Sequence, residues 1–252
     1  MFSPFLIKGL ALVAVAAMQP QPLRICAEPD SLPMSQQSSQ SGFEIEVAQL
    51  LARDLGRPLE VKWIAQRDPS YYRSTVGAGV CDAIMSIPAG FSRLETTQPW
   101  YHAGFAFVTS GAPLPQSFND PELTKVTIGV PATGRGETPP AISLTRRDLG
   151  SHLRPYSIYD PRGLVDAVAD RSIDMAVLWG PFAGYYGAQH KVPLRIGATP
   201  DTDMGMAMGY DIAIGVKKGN DALKTQLDAA LQRQRPAITA ILARWHVPVK
   251  EG

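Results

Sequence analysis

Short apolar runs alternate with amphipathic segments through the first half of the chain. Residues 23–27, 59–63 and 81–87 are apolar runs with the length of strands. Between the first two, residues 42–56 repeat apolar side chains every three or four positions and end at a glycine, which predicts a helix. Residues 71–79 form a second predicted helix. The order strand-helix-strand-helix-strand predicts a parallel sheet that is covered by helices.

The same alternation is repeated from residue 126 onward with different side chains. Strands are predicted over residues 126–130, 157–159, 173–178 and 194–197, and helices over residues 139–149, 161–171 and 181–190. A single sheet with all these strands would be unusually long, so the pattern indicates two α/β lobes. The end of the chain returns to a strand over residues 210–216 and to helices over residues 220–232 and 236–245.

These patterns predict a chain that crosses twice between the lobes. Lobe one is expected over residues 22–109 and lobe two over residues 110–205, with a return to lobe one over residues 206–252. Turn-rich stretches at 109–115 and 199–209 are the predicted crossovers. Two connections at one boundary would act as a hinge.

The N-terminus has the features of an export signal. Lys8 is followed by the apolar run 9–17, which is too short to span a bilayer, and Ala14-Val15-Ala16 fits a cleavage site. We therefore expect residues 1–17 to be a signal peptide and the remaining chain to be periplasmic. No later stretch is apolar for long enough to cross a membrane, so a membrane-embedded protein is not expected.

Charge and motif content disfavour several functional classes. The chain has 24 Lys and Arg residues against 23 Asp and Glu residues, and the two signs are interspersed. Nucleic acid is therefore not an expected partner, because phosphate binding needs clustered positive charge. The four histidines lack metal-ligand spacing, and no nucleophile elbow, H-E-x-x-H pair or phosphate-binding loop occurs. We expect neither an enzyme nor a metal or other cofactor.

The chain has two cysteines, Cys26 and Cys81, and each lies in an apolar run of lobe one. If the strand over 23–27 pairs with the strand over 81–87, the two sulfur atoms lie on adjacent strands. Two cysteines so placed in an exported protein favour a disulfide, whereas two buried free thiols are the alternative. A redox role is disfavoured because the pair lacks C-x-x-C spacing.

Three motifs resemble those of the periplasmic solute-binding proteins of bacterial importers, in particular family 3, which binds polar amino acids. They are Gly42-Phe43-Glu44-Ile45-Glu46-Val47-Ala48, Gly79-Val80-Cys81-Asp82-Ala83 and Gln98-Pro99-Trp100-Tyr101. The resemblance spans essentially the whole chain after the export signal. It implies a two-lobe α/β fold, the type II periplasmic-binding-protein fold. Each lobe is then a mainly parallel sheet flanked by helices, and two hinge crossovers join the lobes.

A more specific resemblance is to the MoxJ/XoxJ-type subfamily, which is associated with quinoprotein alcohol and methanol dehydrogenases. It rests on Arg24-Ile25-Cys26-Ala27-Glu28-Pro29, Pro88-Ala89-Gly90-Phe91 and Trp179-Gly180-Pro181-Phe182-Ala183-Gly184-Tyr185. This resemblance implies a PQQ-dependent alcohol dehydrogenase as a partner. The wider family implies instead the permease of an ABC transporter and a small-molecule ligand.

The chain departs from the amino-acid binders where they hold their ligand. In those proteins an acid ends a strand of lobe two and binds the ligand's ammonium group, whereas Trp179 stands at the matching position here. A neutral indole donates one N–H and cannot balance a buried ammonium group. An ordinary α-amino acid is therefore not the expected ligand.

Ligands of such folds bind where loops leave the carboxyl ends of the strands. The residues expected at this cleft are Glu28, Asp30, Ser86, Pro88, Arg93, Thr133, Arg135, Trp179 and Tyr185. Arg93 or Arg135 could clamp a carboxylate, and Trp179 could stack on a flat ligand. Packing between the lobes is an equal alternative for Trp179 and Tyr185.

Two functions fit these patterns. The subfamily resemblance implies an exported, non-catalytic accessory factor of a PQQ-dependent methanol or alcohol dehydrogenase system, which binds protein or a small ligand. The alternative is a periplasmic receptor that delivers a small polar or aromatic solute, other than a standard α-amino acid, to an ABC transporter. In a receptor, ligand contacts from both lobes would favour the closed state of the hinge.

Overall fold

The computed structural model describes residues 20–67, 70–133 and 136–248. The predicted signal peptide over residues 1–17 lies outside these ranges. The strands of the described residues are β1 (Leu23–Ala27), β2 (Asp30–Ser31), β3 (Ser35–Gln36), β4 (Leu59–Trp63), β5 (Ala83–Pro88), β6 (Glu95–Thr96), β7 (Tyr101–Thr109), β8 (Ile128–Thr133), β9 (Gly136–Glu137), β10 (Leu153–Ser157), β11 (Met175–Trp179), β12 (Arg195–Ala198), β13 (Thr202–Asp203), β14 (Met206–Ala207) and β15 (Gly209–Val216).

Helices cover the strands, and before the C-terminal helix they lie close to the positions that the apolar periodicity predicts. The helices are α1 (Phe43–Asp54), α2 (Pro139–Thr145), α3 (Pro161–Ala169), α4 (Gly180–Gly187) and α5 (Asp221–Arg244), together with 3-10 turns at Pro121–Lys125 and Gly150–His152 and a π-helical turn at Arg73–Gly77. Proline stands early in the first turn of α2, α3 and α4, where its missing N–H leaves no helical hydrogen bond unmade.

One sheet runs through both lobes in the order β10-β8-β11-β7-β15-β5-β1-β4. At one end β4, β1 and β5 are parallel, and we call these strands with their helices lobe one. At the other end β10, β8 and β11 are parallel, and they form lobe two. The antiparallel strands β7 and β15 lie between the two ends and join them. The predicted two-lobe α/β fold is confirmed.

Strand β7 is the element that the sequence pattern missed. Residues 101–104 pair with β15, whereas residues 105–109 pair with β11 and β12. The chain therefore changes pairing partners between Gly104 and Phe105, ahead of the crossover predicted at 109–115. Most side chains of β7 are buried, so no polar alternation marks it as a strand. The predicted lobe boundaries themselves stay a prediction.

Helix α1 begins against the loop that follows β1. Gly42 precedes it with a φ of 127°, and a Cβ atom there would overlap the carbonyl oxygen of Met34, so glycine is required. The backbone amides of Phe43 and Glu44 donate to the carbonyls of Pro33 and Met34. These hydrogen bonds fix the first turn of α1, and with it the position of Glu44.

The two predicted C-terminal helices are one helix, so that prediction is wrong. Helix α5 continues through Pro236, although proline removes one backbone hydrogen bond from a helix interior. Leu223 and Leu227 before the proline, and Ile238 and Ile241 after it, pack into the core of lobe one beside α1. Burial on both sides of Pro236 keeps the two halves of α5 in line.

Cys26 and Cys81 form a disulfide, which confirms the prediction. Their Cα atoms lie 5.6 Å apart, within the range that a disulfide needs. Cys26 is in β1, and Cys81 precedes β5, the parallel neighbour of β1. The bond is buried in lobe one beside Val76 and Ile87. It ties together two of the strands whose ends carry candidate site residues.

Candidate functional site

A cleft lies between the two lobes, at the carboxyl ends of β1, β5 and β11, and we call it the interlobe cleft. Its volume is about 630 Å³. Its aromatic lining residues are Tyr101, Phe105, Tyr159, Trp179, Phe182, Tyr186 and Tyr210. Its charged lining residues are Glu28, Asp30, Glu44, Arg67, Asp160 and Arg162. Among the described residues, acids outnumber bases in this lining, and aromatic rings form much of the wall.

Five of the residues predicted for the cleft lie in its lining. Glu28 and Asp30 follow β1, Ser86 and Pro88 lie at the end of β5, and Trp179 is the last residue of β11. Parallel strands bring their carboxyl ends to one edge of a sheet, which is why residues far apart in the sequence meet here. Whether these residues bind a ligand stays a prediction.

Arg93 lies away from the interlobe cleft. The loop after β5 turns at Gly90, where φ is 75° and the amide of Phe91 donates to the carbonyl of Pro88. Arg93 then lines a separate cavity with Lys217 and its neighbours. This turn, which the spacing of the sequence does not reveal, directs Arg93 away from a clamp on a ligand in the cleft.

Tyr185 and Thr133 are also absent from the described lining of the interlobe cleft. Tyr185 packs on Trp245, with ring centroids 5.5 Å apart, while the next residue, Tyr186, lines the cleft. Consecutive residues of a helix point about 100° apart, so only one of the two tyrosines can face the cleft. Thr133 ends β8 and pairs with Gly136 of β9. Arg135 lies outside the described residues.

Glu44 lines the cleft but is not among the residues that the sequence predicts there. It is in the first turn of α1, and 8% of its surface is exposed. Burial raises its pKa to about 7, and a hydrogen bond with Ser86 opposes the rise. The sequence does contain a signal, because Glu44 falls on the same helical stripe as Val47 and Leu51. A carboxyl group on a buried stripe is rare unless it has a role.

Two hydroxyl groups, those of Ser86 and Tyr101, lie near the Glu44 carboxyl group at the floor of the cleft. The hydroxyl oxygens of Ser86 and Tyr101 lie 3.3 Å apart and share a hydrogen bond. Burial raises the pKa of Tyr101, and the nearby Glu44 raises it further. Tyr101 therefore stays neutral, and the floor combines one acid with two neutral donor groups.

Trp179 lies in an aromatic wall instead of carrying a charge. Its ring meets Phe105 edge to face, with centroids 5.6 Å apart, and lies 6.1 Å from the ring of Tyr210. Phe105 comes from β7 and Tyr210 from β15, the two strands that join the lobes. The wall therefore brings together the last residue of β11 and residues of the two strands that join the lobes.

A smaller apolar side pocket of about 200 Å³ opens beside this wall in lobe two. It shares five lining residues with the interlobe cleft, namely Phe105, Ile158, Pro161, Trp179 and Phe182. Its remaining lining residues include Leu164, Leu178 and Pro131. An apolar group of a ligand in the cleft could enter it without leaving contact with Trp179.

The remaining charged groups lie at the exposed rim of the cleft and have partners. The Glu28 carboxylate accepts a 2.6 Å hydrogen bond from the backbone amide of Gln66. Asp160 caps α3 by accepting from the amide of Gly163. Arg162 lies 3.8 Å from Asp166. The rim is thus largely engaged in local structure.

No group of three or more His, Cys, Asp or Glu side chains within residues 20–67, 70–133 and 136–248 is placed to hold a metal ion. Over the same described residues, none of the helices has both the length and the apolar character needed to span a bilayer.

The similarity to known proteins extends over nearly the whole chain. Protein MoxJ of Methylorubrum extorquens AM1 is 29% identical over 245 residues, which cover 90% of this chain and 81% of that protein. Protein MoxJ of Paracoccus denitrificans is 27% identical over 263 residues, or 96% of this chain and 94% of that protein. The crystal structure of the periplasmic binding protein XoxJ from Methylobacterium extorquens AM1 is 27% identical, with a TM-score of 0.75 over 91% of this chain and 100% of that one.

The profile of the bacterial extracellular solute-binding proteins, family 3, matches residues 23–248. The match, the MoxJ relatives and the XoxJ structure confirm the resemblance that the motifs predicted, including its MoxJ/XoxJ-type subfamily and the type II binding-protein fold. The chain belongs to family 3 of the bacterial extracellular solute-binding proteins.

Proposed function

We propose that this protein is an exported accessory factor of a PQQ-dependent methanol or alcohol dehydrogenase system. It acts in the periplasm by binding through the interlobe cleft and catalyses no reaction itself. The observation that carries the proposal is the likeness, over nearly the full length, to relatives named MoxJ and XoxJ. That subfamily is the one whose motifs imply a link to quinoprotein dehydrogenases.

The chemistry of the cleft supports a role different from amino-acid uptake. Trp179 stands where the amino-acid binders have the acid that holds the ammonium group, and it is packed between Phe105 and Tyr210. Arg93, a candidate carboxylate clamp, lies in another cavity. The two arginines of the described lining, Arg67 and Arg162, are exposed at the rim beside Tyr159 and Asp166, so neither is a buried clamp for the carboxylate of an α-amino acid.

A non-catalytic role is consistent with the side chains at the floor. No histidine, cysteine or lysine is among the described residues that line the interlobe cleft. Ser86 and Tyr101 bond to each other, and the nearby Glu44 is the one buried carboxyl group of the described lining. Acyl or phosphoryl transfer would need a nucleophile with a paired base and oxyanion donors at one point.

The test is co-purification from the periplasm of the host. The protein carries an affinity tag and is expressed at its normal level, and a tagged amino-acid receptor of the same family serves as the control. We expect a PQQ-dependent dehydrogenase subunit to co-purify with this chain and not with the control. The Ser86→Trp variant, which fills the cleft, should lose the subunit, whereas Ser151→Trp on the exposed surface of lobe two should retain it.

Recovery of no dehydrogenase subunit, or of equal amounts with the amino-acid receptor, would contradict the proposal. Equal recovery with Ser86→Trp would contradict the part of the proposal that assigns binding to the cleft. Mass spectrometry of the purified samples quantifies each subunit against the tagged protein.

A receptor for an ABC transporter is the second candidate, and one observation favours it. The interlobe cleft is lined by residues of both lobes, as ligand-driven closure of a hinge requires. In this case a metabolite co-purifies, the dehydrogenase does not, and small-angle scattering shows a more compact protein when the metabolite is added.

A further inference from the structure

Glu44 is the one buried charged residue among the described residues that line the interlobe cleft. Its exposed fraction is 8%, whereas the other charged lining residues are half-buried or exposed at the rim. Burial raises the pKa of Glu44, and the hydrogen bond with Ser86 lowers it. No basic side chain of the described residues contributes to the shift. A carboxyl group held in this way has no cation among the described residues to balance its charge.

The described side chains that interact with Glu44 supply no positive charge. Ser86 and Tyr101 are neutral hydroxyl groups, and both line the same cleft. One of their two hydroxyl protons is used in the hydrogen bond that they share, so at most one is left to donate to the carboxylate, whose charge stays incompletely compensated. A positively charged ligand would compensate it.

The aromatic wall offers a second feature that suits a cation. Trp179, Phe105 and Tyr210 lie together in the cleft lining, and the negative faces of such rings attract ammonium groups within about 6 Å. The apolar side pocket continues from the same wall into lobe two. The lining of this one cleft therefore offers a buried acid, aromatic rings and room for an apolar group.

The arginines of the cleft do not favour an anion at this point. Arg67 lies at the rim, where its guanidinium carbon is 4.9 Å from the ring centroid of Tyr159. Arg162 is exposed and lies near Asp166. Neither guanidinium group forms an ion pair with Glu44 within the described chain. A carboxylate ligand at the floor would instead meet the Glu44 carboxyl group.

We propose that the interlobe cleft binds an organic cation, a protonated amine joined to an apolar or aromatic group. The amine lies against Glu44, Ser86 and Tyr101, and the apolar group lies against Trp179 and in the side pocket. This inference rests on the proposed role of the cleft as the binding site, and it narrows the ligand class. The proposed mode of binding requires no carboxylate on the ligand, and in this it differs from the binding of α-amino acids.

The test uses three probes of similar size that differ in charge. They are 2-phenylethylammonium, 2-phenylethanol and 3-phenylpropionate, each titrated calorimetrically into the purified full-length mature protein at about pH 8, where the Glu44 carboxyl group is mostly ionised. We expect 2-phenylethylammonium to bind at least tenfold more tightly than either of the other two probes.

Two variants and a matched control locate the site. Glu44→Gln keeps the shape of the side chain and removes the charge, so it should weaken binding of the cation at least tenfold. Trp179→Leu should weaken the same binding, because it removes the largest ring of the wall. Glu46→Gln, two residues further along α1 and paired with Arg244 and Trp245, should bind like the wild type. Thermal denaturation of each variant verifies that it is folded.

Equal or tighter binding of the neutral or anionic probe would overturn the proposal, and so would the absence of binding by all three. Unchanged affinity in a folded Glu44→Gln protein would also overturn it. The titration uses the protein without any partner. Its failure is therefore distinguishable from failure of the proposed function, which co-purification of the dehydrogenase tests separately.

Discussion

The guanidinium carbon of Arg67 lies 4.9 Å from the ring centroid of Tyr159, and this contact joins the two sides of the interlobe cleft. Arg67 follows β4 in lobe one, whereas Tyr159 lies between β10 and α3 in lobe two. Both residues are exposed at the rim of the cleft. The contact therefore links the two lobes across the rim and leaves the floor, where Glu44 lies, unobstructed.

The contact between Arg67 and Tyr159 should be measurable as a coupling energy. Arg67→Ala, Tyr159→Ala and the double variant form a thermodynamic cycle, and we expect a coupling of about 0.5–1 kcal/mol, as for exposed cation–π pairs. Chemical denaturation measures each free energy of unfolding. Arg73→Ala, which removes another exposed arginine of lobe one, combined with Tyr159→Ala should give no coupling. A coupling of zero in the first cycle would show that the contact contributes nothing.

Glu44 should make the stability of the protein fall as the pH rises. Its pKa is raised from its ordinary value of 4.5 to about 7 in the folded protein, so the folded state binds more protons than the unfolded state between those values. The free energy of unfolding should decrease by roughly 3 kcal/mol across this window because of this group alone. Denaturation of wild type and Glu44→Gln at a series of pH values isolates the effect.

The effect of Glu44 is the difference in free energy of unfolding between wild type and Glu44→Gln, since the other carboxyl groups titrate in both proteins. Wild type should lose stability relative to Glu44→Gln as the pH rises through 4.5–7, and the difference should be constant above that window. A pH-independent difference would mean that Glu44 titrates normally in the folded protein.

The disulfide should contribute strongly to stability. Cys26 and Cys81 are separated by 55 residues, and closing a loop of this length in the unfolded chain stabilises the folded state by about 4 kcal/mol on the chain-entropy account. Cys26→Ser/Cys81→Ser should unfold at lower denaturant concentration by this free energy, and a reductant should destabilise only the wild type. Equal stability of the two proteins would contradict this prediction.

Gly184 should tolerate no larger residue. A Cβ atom at this position of α4 would overlap the carbonyl oxygen of His246, in the segment that follows α5. We expect Gly184→Ala to lower the free energy of unfolding by about 1–3 kcal/mol, as overpacking does. Gly150→Ala is the matched control, since its Cβ atom would meet only the methyl group of Thr145 at 3.9 Å. Equal stability of the two variants in denaturant would show that the segment after α5 can shift to make room for the Cβ atom at little cost in free energy.

Most of the fold could be predicted because its strands and helices have clear periodicity. Residues 59–63 are found as β4 without change, and the stripe through Val47 and Leu51 faces the core in α1. Prediction failed where tertiary burial replaces periodicity. Strand β7 has no polar face to alternate, and α5 continues through Pro236 because the core of lobe one covers it on both sides of the proline.

The candidate site was predictable only where residues follow directly from strand ends. Trp179 and Ser86 lie at the carboxyl ends of β11 and β5 and therefore line the cleft. Arg93 follows the turn at Gly90, whose direction depends on a backbone conformation that spacing does not reveal. Glu44 could have been found by asking why a carboxyl group stands on an apolar helical stripe.

The proposed role of this protein is to serve a PQQ-dependent dehydrogenase. The most direct measurement is the PQQ-dependent alcohol dehydrogenase activity of periplasmic extracts from the host, with the gene intact, deleted, and restored from a plasmid. We predict that deletion removes most of the activity and that the wild-type gene restores it. Full activity in the deletion strain, together with loss of uptake of an external solute, would contradict the account and favour a transport receptor.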